Sequence, residues 1–373
     1  MNGENALPAP GKERAKQENS LVPLEPAFAE ADTVTVVFGA DNGFIVPLTP
    51  CLQSILDNAS PEHRYDIVVL TQNFLPQYTK MLTDMAAPFS HVSLRVLDVS
   101  PLVNQWKVED LETGHRLSLA TYYRLFIPEL FLKYARVLYL DGDTVVLEDL
   151  YGLFHTRLGE AYAGVVVDAN IIRDMSASFR SYVHKTLEME DESRYFNAGV
   201  TLLNLSAIRR DFPLAVLMEQ ARLKSAKHRD QDVLNSLFYG RVVFLPLRYN
   251  MMWLDKELYL PMPGGREALE HPAVIHYTGG GKPWTLYGSG HTAADFFWKY
   301  AERCPLAAEI HRLHDEDCRG AVAGYSSLRR KYLRCRILAA VTFGRTRRHY
   351  QEKAGAMREL IAVIRNLLDK DEV

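Results

Sequence analysis

The sequence predicts an α/β fold built on a mostly parallel sheet, with a helical C-terminal region after it. Apolar, β-branched runs alternate with helically spaced segments over residues 33–168, the pattern that parallel crossovers leave in a chain. Aspartates stand directly after several of those runs, where a strand would emerge from a core. From about Ala293 onward the strand patterns give way to helical ones.

Taken in order, "TVTVVFGAD" is a first strand ending in a small-residue turn, and "VPLTPCLQSILDNA" follows with helical spacing. "YDIVVLT" is a second strand, followed by a helix from about Pro76 to Ala87, and "VSLRVLDV" alternates as a third. "LATYYRLFIPELF" reads as a helix broken at Pro128, because proline removes a donor and crowds the preceding turn. "RVLYLD" and "AYAGVVVD" are the fourth and fifth strands. Beyond residue 190, "RYFNAGVTLLNL", "VVFLPLRYN" and "AVIHY" read as strands, and "DQDVLNSLFYG" as a helix with acids in its first turn, favourable to the dipole. An aspartate there also fits a helix cap.

The composition of the 373-residue chain, 47% hydrophobic and 24% charged, is that of a soluble globular protein with room for a large core. No apolar run is long enough to cross a membrane. Residues 1–32 are polar and contain proline without an apolar signal core, and are expected to be a disordered leader. Residues 33–292 are then expected to form the α/β unit and 293–373 a helical region. The four cysteines have neither metal spacing nor a disulfide framework, which suits a reducing, cytoplasmic setting.

The net charge of −3 conceals an asymmetry. Residues 329–353 hold nine Lys or Arg against one acid, so this segment carries +8 and the remainder −11. An acidic body does not suit sequence-independent nucleic-acid binding, and no nucleic-acid partner is expected. The basic segment is interleaved with Tyr332, Leu333, Ile337, Leu338 and Val341. Such a segment suits an anionic membrane surface, and equally a helix packed on the body with solvated arginines.

Ligands of open α/β sheets bind beyond the carboxyl ends of the strands. Asp41, the Asp141/Asp143 pair and Asp168 all fall there. Neither a dinucleotide fingerprint nor a P-loop is present. In "LYLDGDTVV" two carboxylates are separated only by Gly142, and they repel unless a cation lies between them. Oxygen ligands suit Mg²⁺ or Mn²⁺, and one histidine ligand favours Mn²⁺. His276 supplies that histidine at the end of "PAVIH". The glycines and Lys282 of "YTGGGKPW" follow it, offering the amides and ammonium that a diphosphate needs. Alone, a D-x-D also fits a solvated turn, and a histidine ending a strand also fits a structural role.

In their order and spacing, "TVVFGAD", "TYYRLFIPEL", "RVLYLDGDTVV", "YFNAGVTLLNL", "DQDVLN", "LRYN" and "IHYTGGGKPW" resemble the glycosyltransferase family 8 enzymes over about residues 33–290. The resemblance implies a GT-A type nucleotide-diphospho-sugar transferase fold. It implies retaining transfer of a hexose from UDP-glucose or UDP-galactose to a saccharide or glycolipid acceptor, in lipopolysaccharide or other cell-surface glycan synthesis. It places such an enzyme in the cytoplasm or on the inner face of the cytoplasmic membrane. By the same resemblance, Asp141, Asp143 and His276 hold Mn²⁺ (or Mg²⁺) on the diphosphate, and Ala40 and Asp41 hold uracil and ribose. Arg124 reaches the donor sugar and the phosphate side, and Asp168, Asn197, Ala198, Asp230 and Gln231 wall the sugar. Gly279 and Lys282 face the leaving diphosphate.

Gln231 and Asp230 are the residues implied nearest the reaction. Glutamine is a poor nucleophile, which favours a front-face reaction over double displacement. Three departures from the family pattern are visible: Asn42-Gly43-Phe44 after Asp41, Gly142 in place of a bulkier residue, and Gly280 where proline is frequent. A UDP-sugar-binding protein without catalysis and a self-glycosylating, glycogenin-like primer are the alternative readings.

Overall fold

Strands β1 (Val34–Gly39), β2 (Tyr65–Thr71), β3 (Val92–Asp98), β4 (Arg136–Leu140), β6 (Ala163–Val167), β7 (Phe196–Asn204) and β8 (Val242–Phe244) form one sheet in the order β3-β2-β1-β4-β7-β6-β8. Only β7 runs against its neighbours, so the sheet is mostly parallel as expected. The computed structural model describes residues 23–30, 32–111, 118–173, 175–223, 227–341 and 344–370; most of the expected leader lies outside them.

Alternate side chains of the central strands enter two separate cores. Val36, Phe38, Ile67, Val69, Leu138 and Leu140 face one, with the helix Ile45–Asn58 packed on it. Val37, Val68, Leu70, Val137 and Tyr139 face the other, with the helices Leu205–Asp211 and Asp230–Phe238. Burial of both faces explains why these strands read as unbroken apolar runs.

A second sheet, in the order β5-β10-β9, is made of β5 (Thr144–Val146), β9 (Met251–Met252) and β10 (Val274–His276). Strand β10 is antiparallel to β5 and parallel to β9. The chain crosses from the large sheet to the small one through Asp141-Gly142-Asp143.

Four expectations need correction. Pro128 breaks nothing: a 3-10 helix, Leu119–Phe126, runs into a short α-helix, Ile127–Leu130, with Pro128 in its first turn, where a missing N–H leaves no bond unmade. "VVFLPLRYN" is not one strand, because β8 ends before Pro246 and Leu247–Asn250 is a 3-10 turn leading into β9.

The end of the expected leader is docked on the body. Leu24 N–H donates to Leu130 O (3.1 Å), Glu25 O accepts from Arg95 (2.8 Å), and Ala27 N–H donates to the buried Asp66 (3.2 Å). Finally, a boundary at residue 292 would cut the main core, which includes Phe297, Tyr300, Ala301, Cys304 and Ile310.

Beyond that core, Ala307–Val341 and Gly344–Lys370 fold back on each other as a helical hairpin with Ala339, Ala354 and Ile364 buried. Asp317 ties the hairpin to the body by accepting Leu286 N–H at 2.8 Å. Among the described residues, no helix is long and apolar enough to cross a membrane.

Candidate functional site

Both ends of the D-x-D turn are pinned by backbone bonds. Asp141 N–H donates to Gly199 O at 2.8 Å, and Tyr277 N–H donates to Asp143 O at 3.0 Å. The register of β10 on β5 sets His276 opposite Thr144, one residue past Asp143. His276 Nε2 consequently lies 3.3 Å from Asp143 Oδ1 and 3.7 Å from Asp141 Oδ2. One ligand atom from each of these residues lies within 4.8 Å of the other two.

Two anionic oxygens and an imidazole nitrogen converge at that spacing, and a hard divalent cation would reconcile them. His276 Nδ1 is 3.0 Å from Asn250 Oδ1, so a proton on Nδ1 leaves the Nε2 lone pair for a metal. The donor set fits a divalent ion.

Lys282 Nζ lies 2.5 Å from Asp143 Oδ2 and 2.6 Å from Tyr277 O. Burial alone would raise the Asp143 carboxyl, but Lys282 and His276 outweigh it and hold the group well below the usual carboxylate range. The loop carrying Lys282 is folded on itself: Lys282 N–H donates to Thr285 Oγ1, and Thr285 N–H donates back to Lys282 O. Gly279, at φ 84°, makes the left-handed bend that starts it.

Arg124 bridges the aspartates. Its Nη2 is 2.7 Å from Asp141 Oδ1, its Nε 2.7 Å from Asp230 Oδ2, and its Nη1 donates to Ala198 O at 2.6 Å. The guanidinium also lies 4.1 Å over the Tyr139 ring. Burial opposes its charge, yet Asp141 and Asp230 outweigh that and raise its pKa above the ordinary value. Burial pushes Asp230 up to about 6, with Arg124 and a hydrogen bond from Thr121 opposing. Asp230 therefore does not cap its helix; its carboxylate is held by Arg124 and Thr121.

Asp168 anchors a second network. It accepts from Ile171 N–H at 3.0 Å, and from Asn197 Nδ2 and Gln231 Nε2 at 3.1 Å each. Gln231 Oε1 accepts Ala198 N–H at 3.1 Å. Asn197 Oδ1 accepts from Gly199 N–H and Asn250 Nδ2, each at 2.9 Å.

Ten of the expected residues, Arg124, Asp141, Asp143, Asp168, Asn197, Ala198, Asp230, Gln231, His276 and Lys282, are thus joined by direct contacts. Ala40 and Asp41 lie just past β1, and Asp41 Oδ1 accepts Phe44 N–H at 2.8 Å. Phe44 fills the space a side chain at Gly142 would need, since a Cβ there would fall 3.0 Å from its ring. That contact joins the Asp41 turn to the D-x-D turn and explains the missing bulk at Gly142.

Sequence reasoning missed Gly199, Asn250 and Thr121. A Cβ at Gly199 would lie 2.2 Å from His276 Cε1 and 2.7 Å from Asp141 Oδ2, so only glycine leaves room for this cluster. "YFNAGV" and "LRYN" contain two of these residues, but nothing in either string says that both lie against His276.

A mostly parallel sheet covered on both faces thus carries a carboxylate–imidazole cluster beyond the carboxyl end of β4, with a lysine loop beside it. The profile described as glycosyl transferase family 8 matches residues 35–287, and the chain belongs to that family. Among its relatives is a lipopolysaccharide 1,2-glucosyltransferase of Escherichia coli, 26% identical over 72% of this chain and 78% of that protein. The lipopolysaccharide 1,3-galactosyltransferase of Salmonella typhimurium is 24% identical over 74% of this chain and 80% of its own length. The solved galactosyltransferase LgtC, in complex with donor and acceptor sugar analogs, matches at a TM-score of 0.61 with 27% identity, over 73% of this chain and 96% of LgtC. The bifunctional glycosyltransferase WbbM matches at 0.68 with 29% identity, over 78% of this chain and 53% of WbbM.

Proposed function

We propose that this chain is a retaining hexosyltransferase. It takes glucose or galactose from a UDP-sugar, holds Mn²⁺ (or Mg²⁺) on Asp141, Asp143 and His276, and acts on a saccharide or glycolipid acceptor in lipopolysaccharide synthesis. The convergence of these three residues within 4.8 Å, with Lys282 beside them, is the observation that carries the reading. The relatives that act on lipopolysaccharide support the acceptor class.

When bound, the divalent ion supplies Lewis-acid neutralisation of the leaving diphosphate. Lys282, paired with Asp143 here, is placed to donate to the same phosphates once they arrive, with the Gly279 loop amides. Ala40 and Asp41 hold the nucleoside at the end of β1, and Gly142 keeps the Phe44 contact between nucleoside and diphosphate. Asp168, Asn197, Ala198 and Asp230 line the sugar, while Arg124 fixes Asp230 relative to Asp141.

Gln231 is an amide, a poor nucleophile, with Oε1 accepting Ala198 N–H, and both oxygens of Asp230 are engaged by Arg124 and Thr121, which lowers their nucleophilicity. This supports front-face displacement with retention, the leaving phosphate taking the acceptor proton.

The catalytic unit begins near residue 33 and runs past residue 292 into the C-terminal region, since Phe297, Tyr300, Cys304 and Ile310 belong to its core. The hairpin sets the enzyme on the anionic inner face of the cytoplasmic membrane through residues 329–353. Leu333, Ile337 and Val341 recur every four residues and are 58–64% exposed, next to Arg330 and Arg334.

The test is hexose transfer from UDP-glucose and UDP-galactose to a lipopolysaccharide core acceptor, with the anomeric configuration of the product determined. A product with the donor's configuration is expected. Inversion, or no transfer from any UDP-sugar, would contradict the proposal.

A further inference from the structure

Asn250 is fully buried, stands outside every residue assigned so far to the cation or the sugar, and closes the turn that leads into β9. Its amide is held from both sides. Nδ2 donates to Asn197 Oδ1 at 2.9 Å, and Oδ1 faces His276 Nδ1 at 3.0 Å.

The direction of every bond in this chain is fixed at its far end. Asp168 Oδ2 only accepts, so Asn197 turns Nδ2 toward it at 3.1 Å. Gly199 N–H only donates, so Asn197 Oδ1 is the acceptor at 2.9 Å. Asn250 must then present Nδ2 to Asn197 and Oδ1 to His276. An amide oxygen 3.0 Å from Nδ1 requires a proton there.

The opposite side of the ring asks for the other tautomer. Nε2 faces Asp143 Oδ1 at 3.3 Å and Asp141 Oδ2 at 3.7 Å, and two carboxylates attract a proton to that nitrogen. A proton on Nε2 would block the lone pair that a cation needs. Without a competing acceptor at Nδ1, the aspartates that should share a cation with His276 would disable it as their co-ligand.

We infer that Asn250 is a positioning residue of the cation site: through the Asp168–Asn197–Asn250 chain it holds the proton of His276 on Nδ1 and keeps Nε2 open to the ion. The inference rests on the proposed cation site, and it ties that site to Asp168 on the sugar wall through fixed hydrogen bonds.

Two variants and two readouts test it. Asn250→Leu keeps the branched shape, though not the volume, and removes both bonds. Asn250→Asp keeps an acceptor for Nδ1 and loses the donor to Asn197. Nitrogen-15 NMR of His276 in metal-free protein at alkaline pH, where the ring is neutral, reads the tautomer; titration with Mn²⁺ followed by electron paramagnetic resonance reads affinity.

Wild type and Asn250→Asp are expected to carry the proton on Nδ1. Asn250→Leu is expected to carry it on Nε2 and to bind Mn²⁺ roughly 10- to 100-fold more weakly, the usual effect of losing an outer-shell partner. A wild-type ring protonated on Nε2 would overturn the inference without any variant. So would an Asn250→Leu protein of native tautomer and affinity, or equal losses in both variants, which would mark Asn250 as merely structural. Failure of wild type to bind Mn²⁺ at all would instead sink the cation-site reading, and the NMR tautomer would still report on Asn250.

Discussion

Replacing Gly199 by alanine is the sharpest single probe of how the site is built. An alanine Cβ would lie 2.2 Å from His276 Cε1, 2.8 Å from His276 Nδ1 and 2.7 Å from Asp141 Oδ2. Ordinary carbon contact begins near 3.5 Å, so the imidazole must retreat by about 1 Å. It cannot do so freely. The ring is buried, its backbone is fixed in β10 between β5 and β9, and Nδ1 is tied to Asn250. Overpacking of this kind costs about 1–3 kcal/mol of stability. A reacting geometry displaced by about 1 Å costs on the order of 100-fold in turnover. Chemical denaturation, Mn²⁺ titration and UDP release together separate the two effects. The expected outcome is a folded Gly199→Ala protein with weakened Mn²⁺ binding and turnover reduced on that order. A folded variant with native Mn²⁺ affinity and turnover would refute the placement of His276 against β7.

Other outcomes follow from the same contacts. Lys282→Ala should fold normally, since the side chain is partly exposed, and lose on the order of 10²- to 10³-fold in kcat; a loss confined to KM would assign the lysine to uniform binding instead. Asp230 has its pKa pushed up to about 6, above its unfolded value, so its ionisation costs stability as pH rises through that range. Its pairing with Arg124 nevertheless needs the ionised form, so kcat/KM should fall on the acid side with a limb near about 6; persistence of that limb in Asp230→Asn would contradict the assignment. Leu333→Asp combined with Ile337→Asp should abolish co-sedimentation with anionic vesicles while leaving UDP release intact, and undiminished sedimentation would remove the hairpin from the membrane contact.

Periodicity made the sheet legible. Strands buried on both faces leave unbroken apolar runs, and those runs marked β1, β2, β4, β6 and β7. Pattern and local structure part company at three places. "VVFLPLRYN" has strand composition, but Pro246 ends the ladder and the remainder turns. Pro128 has the sequence signature of a breaker but starts a short helix, because the two uses of proline differ only in position within a turn. Leu24 to Ala27 looked like polar leader because their anchors, Arg95, Asp66 and Leu130, are far away in sequence.

The candidate site divides along the same line. Asp141, Asp143, His276 and Lys282 were visible because acids, imidazole and ammonium announce their chemistry by type. Gly199 and Asn250 were not, because their part depends on a 2.2 Å clearance and on one hydrogen-bond direction, neither of which a string encodes.

The central claim is that Asp141, Asp143 and His276 bind a cation that works on a nucleotide sugar. UDP release from UDP-glucose and UDP-galactose, with and without Mn²⁺, in wild type and Asp143→Asn, tests it most directly. Release that depends on Mn²⁺, prefers one sugar and disappears in Asp143→Asn is the predicted result. Release that ignores the metal, or survives unchanged in the variant, would contradict the account.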